Sequence, residues 1–147
     1  MKRPATIWLT QTLLVLFALL LLSAFLLNLV VLLTHLGDGF SIVHTLMVYA
    51  VILSIVLLLA FAFWGLAKRR NYGRWLGVLS LLLLWSLIIL MKLQPPSGPY
   101  YEYDNPAQVA GAVFVQVLMH GLFLLLILRL SFSKSVREFF RNELEST

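Results

Sequence analysis

The sequence contains no cysteine and few acidic residues, six against eleven Lys and Arg in 147 residues. Without cysteine the chain forms no disulfide and no thiolate metal site, and thiol redox chemistry is excluded. Charged residues make up 12% of the chain and hydrophobic residues 61%, whereas about a quarter of a soluble domain is charged. A chain of this length cannot bury so many apolar side chains away from water by itself. The composition therefore indicates an integral membrane protein.

The apolar residues fall into four long runs, at positions 7–36, 42–67, 75–93 and 108–130. At about 1.5 Å per residue, each run is long enough to cross a hydrocarbon layer about 30 Å thick as a helix. The first run exceeds the apolar region of a cleavable signal peptide, which is about 7 to 15 residues, so we expect it to be retained. The sequence predicts an all-α fold, an integral membrane four-helix bundle over residues 1–130.

Positive charge is concentrated on one side of these spans. Ten of the eleven Lys and Arg residues lie in the segments 2–3, 68–74 and 129–141, and the exception is Lys92. Because cytoplasmic flanks of multi-pass proteins retain positive charge, we expect both termini to be cytoplasmic. Basic residues beside membrane spans face anionic headgroups, so membrane lipids are expected partners and nucleic acid is not.

The segment that follows the fourth span, residues 131–147, has the spacing of a short amphipathic cytoplasmic helix. Its charged residues fall on the other faces of the helix. Its apolar residues share one face, and they are Phe132, Val136, Phe139, Phe140 and Leu144. A helix of this kind can lie on the membrane surface. Two roles stay open for it: an anchor for the fourth span, or a docking site for a partner protein.

No Asp, Glu, Lys or Arg lies inside a predicted span away from its ends. Coupled transporters hold an ionisable residue in the bundle, because coupling needs a site whose charge changes. Intramembrane hydrolases need a nucleophile with its base, an aspartate pair or a zinc motif, and the sequence has none of these. We therefore expect a protein that is not an enzyme.

His120 lies near the middle of the fourth span, with Gln116 one turn before it. A neutral imidazole in hydrocarbon needs a polar partner, and Asn28, Ser54 or Ser86 on other helices could supply one. The alternative is a ligand site, in which His120 and Gln116 would contact haem or quinone or relay a proton. We expect no resident cofactor and keep haem or quinone as the alternative.

Two further signals lie at the start of the fourth span and within the third. Asn105, Pro106 and Gln108 fit an N-cap, a proline at the first helical position and a capping-box partner, so the fourth helix should begin there. Trp85 lies within the third span, unlike the other tryptophans, and its indole N–H should find a partner on another helix.

Two histidines flank the first loop, His35 and His44, with Asp38 between them. Imidazole and carboxylate groups bind zinc or copper, but this spacing matches no established metal motif and the loop would be open to water. We predict no metal site and keep these three residues as weak candidates.

Pairs of small residues four positions apart occur in three spans, where they let helix backbones approach closely. They are Gly73 with Gly77, Ala107 with Gly111, and Ala50 with Ser54. Two roles stay open for them, packing within the bundle and contact with another protein.

The run Lys68-Arg69-Arg70-Asn71-Tyr72-Gly73-Arg74-Trp75-Leu76-Gly77 and the later Val136-Arg137-Glu138-Phe139-Phe140 resemble features of small bacterial four-span membrane proteins of uncharacterised function. In those proteins a basic hairpin joins span two to span three. The resemblance implies a bacterial inner membrane and implies no activity.

These observations predict a non-enzymatic accessory or scaffold subunit that acts by helix packing. It would belong to a larger membrane complex or a homo-oligomer, with other membrane subunits or copies of itself as partners. The alternatives are a haem, quinone or lipid binder built around His120, and a small pore or transporter.

Overall fold

The computed structural model describes residues 3–34, 42–93 and 106–141, apart from the side chains of residues 31, 42–44 and 91–93. The described chain forms five helices: α1 (Ala5–Thr34), α2 (Ile42–Ala67), α3 (Asn71–Leu93), α4 (Pro106–Phe132) and α5 (Lys134–Arg141). The expectation of an all-α fold is confirmed. The first four helices are long and apolar enough to cross a membrane.

The helix bounds follow the predicted spans closely, with one instructive difference. The second helix coincides with the predicted run, and α4 begins at Pro106 as its capping signals indicate. The third helix begins at Asn71, four residues before the apolar run starts at Trp75. Backbone hydrogen bonds do not require apolar side chains, so a polar first turn that includes Arg74 extends α3 beyond its hydrophobic pattern.

Three residues, 68–70, join α2 to α3. The amide of Arg70 donates to the carbonyl of Gly65 at 2.9 Å, and the amide of Arg69 donates to the carbonyl of Leu66 at 3.3 Å. Arg69 has a φ of 54°, in the left-handed region. These two hydrogen bonds around a left-handed residue make a Schellman motif, which satisfies the last carbonyls of α2 and reverses the chain.

Directly beyond this turn, α2 and α3 touch through glycine. A Cβ on Gly65 would lie 2.5 Å from the Cα of Gly73, and a Cβ on Gly73 would overlap the backbone of Gly65. Gly77, one turn later, lies against the side chain of Leu66. Only residues without a Cβ allow the two backbones to cross at this distance.

The buried core lies in one half of the bundle, next to the basic segments. We call this the basic end, where α1 begins, α2 ends, α3 begins and α4 ends. The buried apolar side chains there are Ile7, Leu14, Leu59, Ala62, Leu66, Val78, Leu81, Leu84, Phe123, Leu126, Leu130, Val136, Phe139 and Phe140. In the opposite half, the described side chains are exposed or only half-buried.

The short helix α5 is part of this core. Val136, Phe139 and Phe140 are buried against the basic end, together with side chains of the four long helices. The predicted apolar face also included Phe132, and there the structure differs, because Phe132 is 67% exposed. It is the last residue of α4, and the helical register restarts at Lys134. Leu144 lies outside the described residues.

The glycine contact predicts opposite effects for two alanine substitutions. Gly73→Ala should lower the free energy of unfolding by about 1–3 kcal/mol, because the added methyl group overlaps α2. Gly121→Ala should leave stability unchanged or raise it by up to about 1 kcal/mol, since no described neighbour lies within 4 Å of a Cβ built on this helical glycine. Thermal unfolding in detergent measures both. Equal effects of the two substitutions would contradict the close crossing.

Candidate functional site

The basic end carries an excess of positive charge. The cationic side chains there are Arg3, Lys68, Arg69, Arg70, Arg74, Arg129, Lys134, Arg137 and Arg141. In the described part of the chain the one carboxylate is that of Glu138. Most of these cations therefore have no acidic partner within the described structure, and this end presents a positive surface.

Arg69 links the α2–α3 turn to α5. Its guanidinium lies 4.7 Å from the centre of the Phe139 ring, in cation–π geometry. A left-handed conformation destabilises the fold by about 1 kcal/mol or more for an L-residue. A partly exposed cation–π contact stabilises the fold by about 0.5–1 kcal/mol and so offsets part of that strain. The tail helix is thereby fastened to the turn, as well as to the core through Phe139 and Phe140.

Arg74 and Arg137 add two more cations at the same place. The Nε of Arg74 is buried and has no hydrogen-bond partner among the described residues. Its guanidinium lies 5.0 Å from the Trp75 ring, and Arg137 is close enough to repel it. Arg137 in turn donates to the carbonyl of Ser131 at 3.3 Å. This arrangement leaves donors available to an anion.

The first turns of α1 bring polar side chains into the core, which the sequence reasoning missed. Thr6, Thr10 and Gln11 are buried, and the Thr10 hydroxyl donates to the carbonyl of Thr6 at 2.9 Å. Ser80 on α3 is buried as well, and its hydroxyl has no partner among the described residues. The spacing of Thr6, Thr10 and Gln11 along one helical face was the available signal.

His120 meets Trp85, and not the residues expected. The two rings stand edge to face, with centres 6.2 Å apart and planes at 84°. His120 Nδ1 and Trp85 Nε1 are both buried and lack a hydrogen-bond partner among the described residues. The ring of Trp85 therefore contacts a second helix, but its indole N–H does not find, among the described residues, the hydrogen-bond partner that we expected there.

The predicted partners of His120 bond elsewhere. The Asn28 amide donates to the carbonyl of Ala24 at 2.8 Å, and the Ser54 hydroxyl donates to the carbonyl of Ala50 at 2.7 Å. Both bonds lie within one helix, and Ser86 is exposed. Short polar side chains satisfy themselves on the preceding turn of their own helix. Gln116 is half-buried on α4.

The predicted metal candidates cannot be brought together on this structure. His35 and Asp38 lie outside the described residues, and His44 lies in α2 with its side chain outside them. Within the ranges that the structure describes, no group of three metal-ligating side chains occurs.

The three pairs of small residues divide into two kinds. Gly73 and Gly77 are buried against α2. Ala107 and Gly111 on α4 are exposed, and no described atom lies within 4 Å of a Cβ built on Gly111. Ala50 and Ser54 on α2 are exposed as well. Only the first pair packs helices within the described chain.

Comparisons with protein families, with curated proteins and with solved structures give no match to this chain.

The conformation of Arg69 predicts an order of stabilities. Arg69→Ala keeps the left-handed backbone and loses the Phe139 contact, whereas Arg69→Gly loses the contact but relieves the backbone. We therefore expect the glycine variant to be more stable than the alanine variant by about 1 kcal/mol in denaturant unfolding.

Lys68 is the matched control, since it carries no positive φ. At this neighbouring position glycine should be the less stable of the two substitutions, because it adds only backbone freedom to the unfolded chain. The same order at both positions would contradict the role of the left-handed residue.

Proposed function

We propose that this chain is a multi-pass protein of the bacterial inner membrane with both termini cytoplasmic. The support is the apolar surface of the four long helices, on which Leu27, Phe61 and Val117 are each more than 60% exposed. Lipid chains can solvate such side chains, and water cannot without a large free-energy cost. The orientation is supported by the charge of the basic end, since positive flanks remain cytoplasmic.

Within that membrane we propose a non-enzymatic accessory or scaffold subunit that acts by helix packing, in a larger complex or a homo-oligomer. The observation that carries this proposal is the open face of α4. Gly111 lies among exposed apolar side chains, including Phe114 and Val117, with no described neighbour at its Cβ position. A glycine in a membrane helix permits close approach of a second backbone.

The position of the core explains why this face can accept a partner. The basic end joins all five helices, so the fold is held together without the first half of α4. A partner helix could pack against Gly111 there without displacing a buried side chain. The partner would gain dispersion contacts that lipid chains make less closely, which is the usual basis of helix association in membranes.

The assembly is tested by a substitution on the open face. Gly111→Leu should lose the partner polypeptide, or the self-associated form, because the side chain blocks close approach. The measurement is purification from the native host in mild detergent, followed by mass spectrometry of all polypeptides and by size-exclusion chromatography.

Ala24→Leu is the matched control, since Ala24 is an exposed small residue on α1, on a different helix from the proposed contact. Gly111→Leu should unfold at or above the temperature of the unsubstituted protein, because leucine is the better helix former, and Ala24→Leu should unfold close to it. A chain that always migrates as a lone monomer, without a companion polypeptide, would overturn the subunit proposal.

The His120–Trp85 pair favours a second candidate, a binder of quinone or another ligand that hydrogen-bonds to these rings. Two buried nitrogens on facing helices, neither with a hydrogen-bond partner among the described residues, could contact one ligand oxygen. An organic extract of the purified protein should then contain the ligand, and His120→Ala should lose it while Gln116→Ala loses less. An extract without any bound small molecule, together with a featureless visible spectrum, would exclude this candidate and haem.

A further inference from the structure

A groove runs along the outer surface of α1 and α2, beginning at the basic end. Its first part has a volume of about 410 Å³, and among its lining residues are Arg3, Trp8, Gln11, Val15 and Phe63. Its second part, of about 330 Å³, shares Val15, Leu19 and Phe63 with the first and continues to Leu22 and Val56. Because the two parts share these three lining residues, they are adjacent along α1 and α2, and together we call them the α1–α2 groove.

Both parts of the α1–α2 groove are mainly apolar, and the one charged side chain in its lining, Arg3, lies in the part at the basic end. Arg3 and Gln11 line the part at the basic end, whereas Ala18, Leu22 and Val56 line the part farther in. A phospholipid has the same order, with a charged headgroup followed by acyl chains. From Trp8 to Leu19 the lining rises by about 16 Å at about 1.5 Å per residue, close to half of a hydrocarbon core about 30 Å thick.

Two cations lie near the basic end of the groove, Arg3 in the lining of its first part and Lys68 outside the lining of both parts. Arg3 donates from Nη2 to the carbonyl of Ala67 at 3.3 Å, where α2 ends. The adjacent Lys68 places its Nζ 5.2 Å from the ring centre of Trp64, which lines the second part of the groove. The one described carboxylate, Glu138, lies on α5, so neither α1 nor α2 offers a described acid to neutralise these cations.

We propose that the α1–α2 groove binds one anionic phospholipid of the leaflet at the basic end. Arg3 and Lys68 contact the headgroup phosphate, and an acyl chain lies along Val15, Leu19 and Phe63. A guanidinium can bind phosphate through two hydrogen bonds while it still contacts Ala67, since it has five N–H donors. The inference rests on the proposed membrane location and is independent of the proposed subunit role.

The test is native mass spectrometry of the full chain, reconstituted with phosphatidylglycerol and phosphatidylcholine that carry identical acyl chains. The unsubstituted protein should retain one phosphatidylglycerol in preference to phosphatidylcholine. Arg3→Gln should reduce that preference about tenfold, since the lost guanidinium favours the net negative headgroup of phosphatidylglycerol over phosphatidylcholine, whose choline cation offsets its phosphate.

Three further variants distinguish the effect of the groove's shape from the effect of charge. Val15→Trp should abolish lipid retention by filling the groove, and Leu79→Trp, at an exposed leucine of α3, should not. Arg129→Gln removes an exposed arginine that lies outside the groove lining, and it should change the preference by less than about twofold. Equal unfolding temperatures show that every variant is folded.

Equal retention of the two lipids, or equal effects of Arg3→Gln and Arg129→Gln, would overturn the site and leave only non-specific surrounding lipid. A monomer that retains phosphatidylglycerol supports the site while it excludes the subunit role. Recovery of the native chain in the soluble fraction without detergent would overturn the membrane location and the lipid site together.

Discussion

The contact between Gly65 and Gly73 is the constraint on which the rest of the structure depends. It lets the α2 and α3 backbones cross directly after a three-residue turn, and that crossing brings Leu66 against Gly77. The turn itself places Arg69 over Phe139 and so draws α5 onto the bundle. The buried side chains of the bundle are grouped around this crossing and the tail helix, at the end where positive charge is concentrated.

In the half opposite the basic end, some of the described helices stay in contact and others do not. The first two helices stay in contact there, since Phe25 and Tyr49 stack edge to face with centres 5.1 Å apart. The first half of α4 has no such contact at Gly111. A bundle joined at the basic end can therefore keep its fold while the first half of α4 leaves an apolar face open, and the α1–α2 groove lies on other helices.

Much of this fold could be predicted from the sequence, because long apolar runs and basic flanks are local signals. The α2 bounds and the Pro106 start of α4 follow from hydropathy and capping alone. The crossing at Gly65 could not be predicted. Gly65 and Gly73 lie on different helices, and no regular spacing in the sequence indicates that they touch. The contact of His120 with Trp85 depends on how each helix is rotated about its own axis, which the sequence does not specify. The small-residue spacing at Gly111 predicts close packing, but it does not say whether the neighbouring helix belongs to the same chain.

The most direct measurement of this architecture is a pair of spin-label distances in the monomer, which the cysteine-free chain permits. Phe17 on α1 and Phe123 on α4 are in contact, with ring centres 6.0 Å apart. Labels at Trp8 and Phe132 lie nine residues from that contact on the basic side, and labels at Leu26 and Phe114 lie nine residues away on the other. We expect the second distance to be clearly the longer. Equal distances would contradict a bundle that is closed at the basic end and open at the other.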